Sequence, residues 1–166
     1  MKYVTIGQIL DLPRCNDYPD DLVRELFDGR KRVALTTIAG SGLHKMDRLW
    51  VLTALMNPKD QRLFACECAS RVLKVRKDIP ECLVKCVKVA RLHARGRASD
   101  KALKECRDDA RNRTNFYDHG QCVCYYTAYA PVIESAYCSS ANYMHILNDH
   151  PDWHMKRCLE ILEGQL

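Results

Sequence analysis

Several residue types that define special classes of protein are scarce in this sequence. Only 7 glycines and 6 prolines occur among 166 residues, which excludes collagen-like and linker-like chains. The uncharged run from Gly120 to Ile133 falls well short of the ~20 apolar residues that cross a bilayer, so we expect no membrane-spanning helix. The sequence also lacks Gly-x4-Gly-Lys-Ser/Thr, Gly-x-Gly-x2-Gly and Gly-x-Ser-x-Gly, which argues against those modes of phosphate binding and serine catalysis.

The usual spacings of metal ligands are missing as well, although the chain has 10 cysteines and 6 histidines. No Cys-x2-Cys pair occurs; the close pairs are Cys66-x-Cys68, Cys82-x3-Cys86 and Cys122-x-Cys124. On a helix, residues i and i+2 point about 200° apart, so the first and third pairs cannot chelate a metal while helical. We therefore predict no metal, no cofactor and no catalytic residue, and a protein that is not an enzyme.

The N-terminus favours a cytoplasmic protein. Asp11 and Pro13 interrupt the chain before the apolar stretch of a signal peptide is complete. The cysteines lie within helical patterns, and we expect them to be reduced thiols that pack as small hydrophobic side chains.

Helical periodicity extends over most of the chain. Asn57-Pro58 is a typical cap and first turn for a helix from Pro58 to Val75, and apolar residues cover more than half of that helix, which places it near the centre of a bundle. Residues Val33 to Ala39 fit either a strand or a short helix, and a helix is favoured. The other predicted helices cover Ile6–Asp11, Pro19 to before Gly29, Asp47–Met56, Pro80 to near Gly96, Ser99 to about Asn115, Gln121–Ser140 with a kink at Pro131, and Pro151–Gly164.

These signals predict an all-α fold, a compact bundle of about seven or eight helices with short connections. We expect a subdomain of short helices over residues 1–45, packed on a helical bundle over residues 46–166, as one domain overall.

The positive charge is concentrated in the middle of the chain. Residues 71–114 hold 14 Lys or Arg against 6 Asp or Glu, whereas residues 115–166 hold 2 against 6. Within the helix that follows Pro80, one arc carries Lys85, Lys88, Arg91 and Arg95. This basic arc is our first candidate for partner binding; a solvated helix face, an acidic protein partner and nucleic acid are all compatible with it.

The second candidate is a set of tyrosines near the C-terminal end of the chain. Tyr125 and Tyr129 are four residues apart on one helical face, and Tyr126 lies three residues before Tyr129. Such rings either form a contact surface for a partner or pack against neighbouring helices with their hydroxyls at the rim. The wider set comprises Tyr117, Tyr125, Tyr126, Tyr129, Tyr137 and Tyr143.

Part of the sequence is similar to a known family. The segments Trp50-Val51-Leu52-Thr53-Ala54-Leu55-Met56-Asn57, Gln61-Arg62-Leu63-Phe64-Ala65-Cys66-Glu67-Cys68-Ala69-Ser70-Arg71-Val72-Leu73 and Ala90-Arg91-Leu92-His93-Ala94-Arg95-Gly96 resemble the helical immunity-protein-like domain of bacterial and phage proteins. The resemblance covers about Met46 to Ala110. After Ala110 the family's Ala-rich helices are replaced by a segment rich in Tyr and Cys. The resemblance implies a small cytosolic inhibitor that acts by binding another protein.

We therefore expect a small protein-binding inhibitor that neutralises its target by occlusion. The target is either a toxin, as for an immunity protein, or a host defence effector such as a CRISPR nuclease complex, as for a phage-encoded inhibitor. The alternative is a nucleic-acid-binding accessory protein that uses the basic face of residues 71–114.

Overall fold

The structure is a computed structural model that describes residues 2–12, 20–129, 138 and 152–164. It is mostly helical, which confirms the predicted class in outline, but it also contains a small two-stranded sheet that was not predicted. Within the described ranges, no helix has the length and apolar character needed to cross a membrane. The predicted kink at Pro131 and the tyrosines Tyr137 and Tyr143 lie outside the described residues.

The chain forms two compact units, one made of Met1–Leu55 with Asp152–Leu166 and the other of Met56–Pro151. This division differs from the predicted one between residues 45 and 46, because a helix at 45–54 and the last helix group with the N-terminal segments. The described residues of the first unit form β1 (Tyr3–Thr5), α1 (Ile6–Leu10), α2 (Asp20–Phe27), β2 (Arg32–Ala34), α3 (Leu35–Ala39), α4 (Lys45–Ala54) and, near the C-terminus, α9 (Asp152–Glu163).

The sheet of the first unit resolves the ambiguity at residues 33–39. Strand β1 pairs antiparallel with β2, with Val4 opposite Val33, and both side chains are buried. The chain turns into α3 directly after Ala34. The segment is therefore a strand at its start and a helix over the rest, so the favoured all-helical interpretation was wrong for its first two residues.

The start of α1 follows its predicted capping signal, whereas the predicted helix Asp47–Met56 lies at Lys45–Ala54, where the His44 side chain caps it by accepting a hydrogen bond from the N–H of Met46. Thr5 caps α1 and forms a capping box with Gln8, in which each side chain accepts a hydrogen bond from the other residue's backbone N–H. The core of this unit includes Phe27, Ile38 and Leu52, each at most 1% exposed. Helix α9 packs against α3 and α4.

Over residues 56–129, the described part of the second unit contains four helices: α5 (Pro58–Val75), α6 (Glu81–Ala94), α7 (Asp100–Arg111) and α8 (His119–Tyr126). The predicted bounds of α5 are confirmed, and Asn57 caps the helix by accepting a hydrogen bond from the N–H of Asp60 at 2.9 Å. The helix predicted to reach about Asn115 ends at Arg111. The helix predicted over Gln121–Ser140 begins earlier, at His119, and α8 ends at Tyr126. Helix α5 packs against both α6 and α8, which explains why so much of its circumference is apolar.

An ion-pair cluster fixes the start of α8. Asp118 caps the helix by accepting hydrogen bonds from the N–H groups of Gly120 and Gln121, at 2.8 and 3.1 Å. Its other carboxylate oxygen lies 2.9 Å from Nη2 of Arg76, the residue that ends α5. The same guanidinium donates two hydrogen bonds to Asp78, at 2.6 and 2.7 Å. We call the ion-pair cluster of Arg76, Asp78 and Asp118 the clasp; it connects the end of α5 to the beginning of α8.

The clasp changes the acidity of both carboxyl groups. Hydrogen bonds from Arg76 lower the pKa of Asp78 to about 2. Burial acts to raise the pKa of Asp118, but the hydrogen bonds from Arg76, Gln121 and Gly120 outweigh it, and the net shift is downward. A carboxyl group whose pKa is lower in the folded state stabilises the fold above its ordinary pKa, and this stabilisation is lost as the pH falls through the folded value.

Two substitutions distinguish the contribution of Asp118 as a helix cap from its contribution as a charged group. Asp118→Asn retains an acceptor for the α8 cap and removes the ion pair, so we expect a loss of about 1 kcal/mol in the free energy of unfolding at pH 7. Asp118→Ala removes the cap as well and costs about 1 kcal/mol more. Urea unfolding of the three proteins measures both differences.

The difference in the free energy of unfolding between the native protein and Asp118→Asn should become smaller as the pH falls below 3.8, the ordinary pKa of the group. Between 3.8 and the lower pKa of the folded state, Asp118 takes up a proton in the unfolded chain first, and once the folded carboxyl is also protonated its advantage over the amide is lost. A difference in the free energy of unfolding that stays constant from neutral to acidic pH would contradict the proposal that the charge of Asp118 stabilises the fold.

Candidate functional site

The three predicted tyrosines meet at the C-terminal end of α8. Tyr125 and Tyr126 are the last two residues of the helix, and Tyr129 follows in a turn in which its N–H donates to the carbonyl of Tyr126 at 3.1 Å. The ring centroids of Tyr125 and Tyr126 are 5.5 Å apart, those of Tyr126 and Tyr129 5.6 Å, and those of Tyr125 and Tyr129 6.1 Å. Edge contacts of this kind favour one arrangement of the rings.

A buried arginine fixes the turn between these rings. Arg62 of α5 is 5% exposed and donates a hydrogen bond to the carbonyl of Thr127 at 3.3 Å. The Thr127 hydroxyl donates in turn to the carbonyl of Cys124 at 2.7 Å. The backbone between Tyr126 and Tyr129 is therefore tied to the interior of the second unit.

Phe116 extends the aromatic cluster from the loop between α7 and α8. Its ring meets that of Tyr125 edge to face, with the centroids 5.2 Å apart. Two contacts hold the loop against α8: the thiol of Cys122 donates to the Phe116 carbonyl at 3.4 Å, and the N–H of Asn115 donates to Oε1 of Gln121 at 2.9 Å. Phe116 nevertheless remains 49% exposed.

Helix α7 supplies the charged side of the site. A cleft of about 340 Å³ lies between α7 and the aromatic cluster. Arg107 and Arg111 are one helical turn apart, so their side chains emerge on the same face. We call this site the aromatic–arginine cleft; it is lined by Arg107, Asp108, Arg111, Phe116, Tyr125, Tyr126 and Tyr129.

The hydroxyls of Tyr125 and Tyr126 in the cleft are protonated at neutral pH. Burial raises the pKa of Tyr125, against the opposing effect of Arg111 and Arg107. Burial is also the main cause of the raised pKa of Tyr126. At neutral pH the cleft therefore contains the neutral hydroxyls of Tyr125 and Tyr126 and the guanidinium groups of Arg107 and Arg111, with the Asp108 carboxylate as the only acidic group among its described lining residues.

The predicted basic arc on α6 divides into two parts. Lys85, Lys88 and Arg95 are exposed. Arg91 is half-buried, and its guanidinium donates hydrogen bonds to the hydroxyl of Ser70 and, at 3.1 Å, to the carbonyl of Cys66. Arg91 therefore joins α6 to α5, while the other three cations face solvent.

Most described thiols of the second unit pack in its interior. Cys66, Cys68, Cys86, Cys106, Cys122 and Cys124 are buried, and Cys82 and Cys138 are half-buried. Burial raises the pKa of Cys66 and of Cys124 to about 12, so these thiols are protonated at neutral pH. Within the described residues, no group of three His, Cys, Asp or Glu side chains is arranged to hold a metal ion.

Sequence reasoning missed Arg107, Arg111 and Phe116. The spacing of the two arginines gives them a common helical face, but nothing local indicates that this face meets α8. The contact depends on the packing of α7 against α8 and on the loop that carries Phe116. The basic composition of residues 71–114 was the only sequence signal that included the two arginines.

Matched substitutions test the different environments of two arginines on α6. Arg91→Gln removes charge-assisted hydrogen bonds between helices, so we expect the free energy of unfolding to fall by about 1–2 kcal/mol. Arg95→Gln alters an exposed side chain and should change it by less than about 0.5 kcal/mol. Equal effects of the two substitutions in urea unfolding would contradict the structural role given to Arg91.

No protein-family model, no curated protein and no solved structure matches this chain. The similarity to the immunity-protein-like domain therefore stays a prediction, and the geometry of the aromatic–arginine cleft is the observation that bears most directly on function.

Proposed function

We propose that this chain is a cytoplasmic, non-enzymatic binding protein that docks on a target protein through the aromatic–arginine cleft and blocks it. The finer features predicted from the sequence belong to the same proposal: a compact helical inhibitor that acts as an immunity protein against a toxin or as a phage-encoded inhibitor of a host defence effector.

The composition of the cleft is the observation that carries the proposal. Tyr and Arg are among the side chains that contribute most to protein–protein binding energy, because each combines a large contact area with hydrogen bonding. Here three tyrosines, a phenylalanine and two arginines line one opening. The rings contact one another, so little side-chain entropy is lost when a partner orders them.

The loop before α8 widens this surface. Phe116 is half exposed, and its neighbour Tyr117 is 97% exposed. Adjacent large apolar side chains that face solvent are a feature of interaction surfaces. The Asn115 side chain accepts a hydrogen bond from the Tyr117 N–H at 3.0 Å, which holds the backbone of this exposed pair in a defined turn.

The exposed cations of α6 favour a second function. Lys85, Lys88 and Arg95 lie on one arc of the helix and face solvent, an arrangement suited to phosphate groups. A nucleic-acid-binding accessory protein would use this arc, and its affinity would fall steeply with salt concentration.

Capture of the partner from the native host lysate, with nuclease treatment, tests the proposal. We expect the native chain to retain one protein in stoichiometric amount at moderate salt. The double variant Tyr126→Ala/Tyr129→Ala should bind that protein more than about tenfold more weakly, since it removes two central contact residues. Tyr3→Ala is the matched control, because Tyr3 is an exposed tyrosine of the first unit.

A second variant, Lys85→Glu/Lys88→Glu, separates the two surfaces. Loss of partner binding in this variant, with full binding by the tyrosine variant, would place the interface on the basic arc instead of the cleft. Recovery of nucleic acid alone, or of proteins released by nuclease, would overturn the inhibitor proposal in favour of the second function. Urea unfolding of each variant verifies that it is folded.

A further inference from the structure

The aromatic–arginine cleft has an unbalanced charge. Asp108 lies 3.5 Å from the guanidinium of Arg107, a long contact for an ion pair. Arg111 is exposed, and no carboxylate of the described residues lies within 4 Å of its guanidinium. The cleft therefore contains one cation with a weakly held acidic neighbour and a second cation that is available to an incoming anion.

The walls of the cleft suit an anion that is carried on a peptide. The guanidinium of Arg111 can form two parallel hydrogen bonds with a carboxylate, and Arg111 is close enough to Tyr125 to affect the pKa of its hydroxyl. The rings of Phe116 and Tyr125 stand almost perpendicular, at 88°, and leave Phe116 half exposed beside the charged side. A carboxylate with an adjacent apolar side chain would fill both parts of the opening.

We propose that the cleft receives an acidic segment of the target protein, in which an Asp or Glu side chain binds Arg111 and a neighbouring apolar side chain packs on Phe116 and Tyr125. This assignment rests on the proposed function and specifies the chemistry of the partner. The segment is recognised by charge complementarity and by aromatic contact together, so neither an acidic nor an apolar peptide alone satisfies the site.

The cleft favours an acidic peptide over a nucleic acid strand. A phosphodiester chain carries a charge at every nucleotide and needs a track of cations along its path. Asp108 lines this opening between two arginines one helical turn apart, so successive phosphates would meet a negative charge. Asp108 lies three residues before Arg111 and neighbours it on the helix, but a single carboxylate needs only the one contact with Arg111, and a peptide does not carry a charge at every residue.

Binding of two model peptides to the full-length, nitrogen-15-labelled chain tests the assignment by NMR titration. The first probe is acetyl-Gly-Glu-Phe-Glu-Gly-amide, and the second is its uncharged twin, acetyl-Gly-Gln-Phe-Gln-Gly-amide. We expect the first probe to shift the backbone resonances of residues 107–111 and 116–129. The uncharged peptide should bind at least about fivefold more weakly.

Two arginine variants provide the site-specific comparison. Arg111→Gln should weaken binding of the acidic probe about fivefold, because it removes the carboxylate's main hydrogen-bond donor. Arg113→Gln makes the same change of net charge two residues further along, at an exposed side chain that pairs with Asp109 at 3.2 Å and does not line the cleft. Arg113→Gln should leave the affinity for the acidic probe within about twofold of that of the native chain.

Four results would overturn the assignment. They are equal binding of the two peptides, resonance shifts confined to residues outside the cleft, equal weakening by Arg111→Gln and Arg113→Gln, and tighter binding of a short oligothymidylate than of the acidic peptide in the same cleft. If Arg111→Gln still captures the target from lysate at full strength, this assignment fails while the inhibitor function stands. If the native chain captures no protein, the proposed function fails as well.

Discussion

The second unit depends on how the first turn of α8 is held. Arg76 ends α5 and lies between Asp78 and Asp118, and Asp118 also caps α8. Gly120 completes the arrangement, because a Cβ there would lie 3.1 Å from both the Arg76 guanidinium and the Asp118 carboxylate. A side chain at this position would press on the ion pair that starts the helix. The clasp is thus a charge interaction that a Cβ at residue 120 would crowd.

The position of the first turn of α8 determines the geometry of the aromatic–arginine cleft. Helix α8 has fewer than three turns between its cap and Tyr126, so its starting position determines where the tyrosines lie. Arg62 fixes the far end by its hydrogen bond to Thr127. With both ends held, Tyr125 meets Phe116 and α7 brings its two arginines to the same opening. The buried Arg62 and the partly exposed clasp thus position the side chains that line the cleft.

The sequence predicted the features that local chemistry controls. Asn57-Pro58 located the start of α5, and Thr5 that of α1, because a cap acts within one helical turn. The pairing of β1 with β2 was missed, since three-residue strands leave little pattern and their partners are far apart in the chain. The contact of the three tyrosines could be expected from helical spacing. Their meeting with Arg107 and Arg111 depends on tertiary packing, as does the contact of Arg91 with α5.

Hydrogen exchange of the full-length chain with and without its captured target tests the central claim most directly, namely that the cleft is the binding surface. The proposal predicts that the target slows amide exchange at residues 107–111 and 116–129, while residues 81–95 of α6 change little. Slowed exchange confined to the solvent-facing turns of α6 around Lys85, Lys88 and Arg95, with none at the cleft, would contradict it.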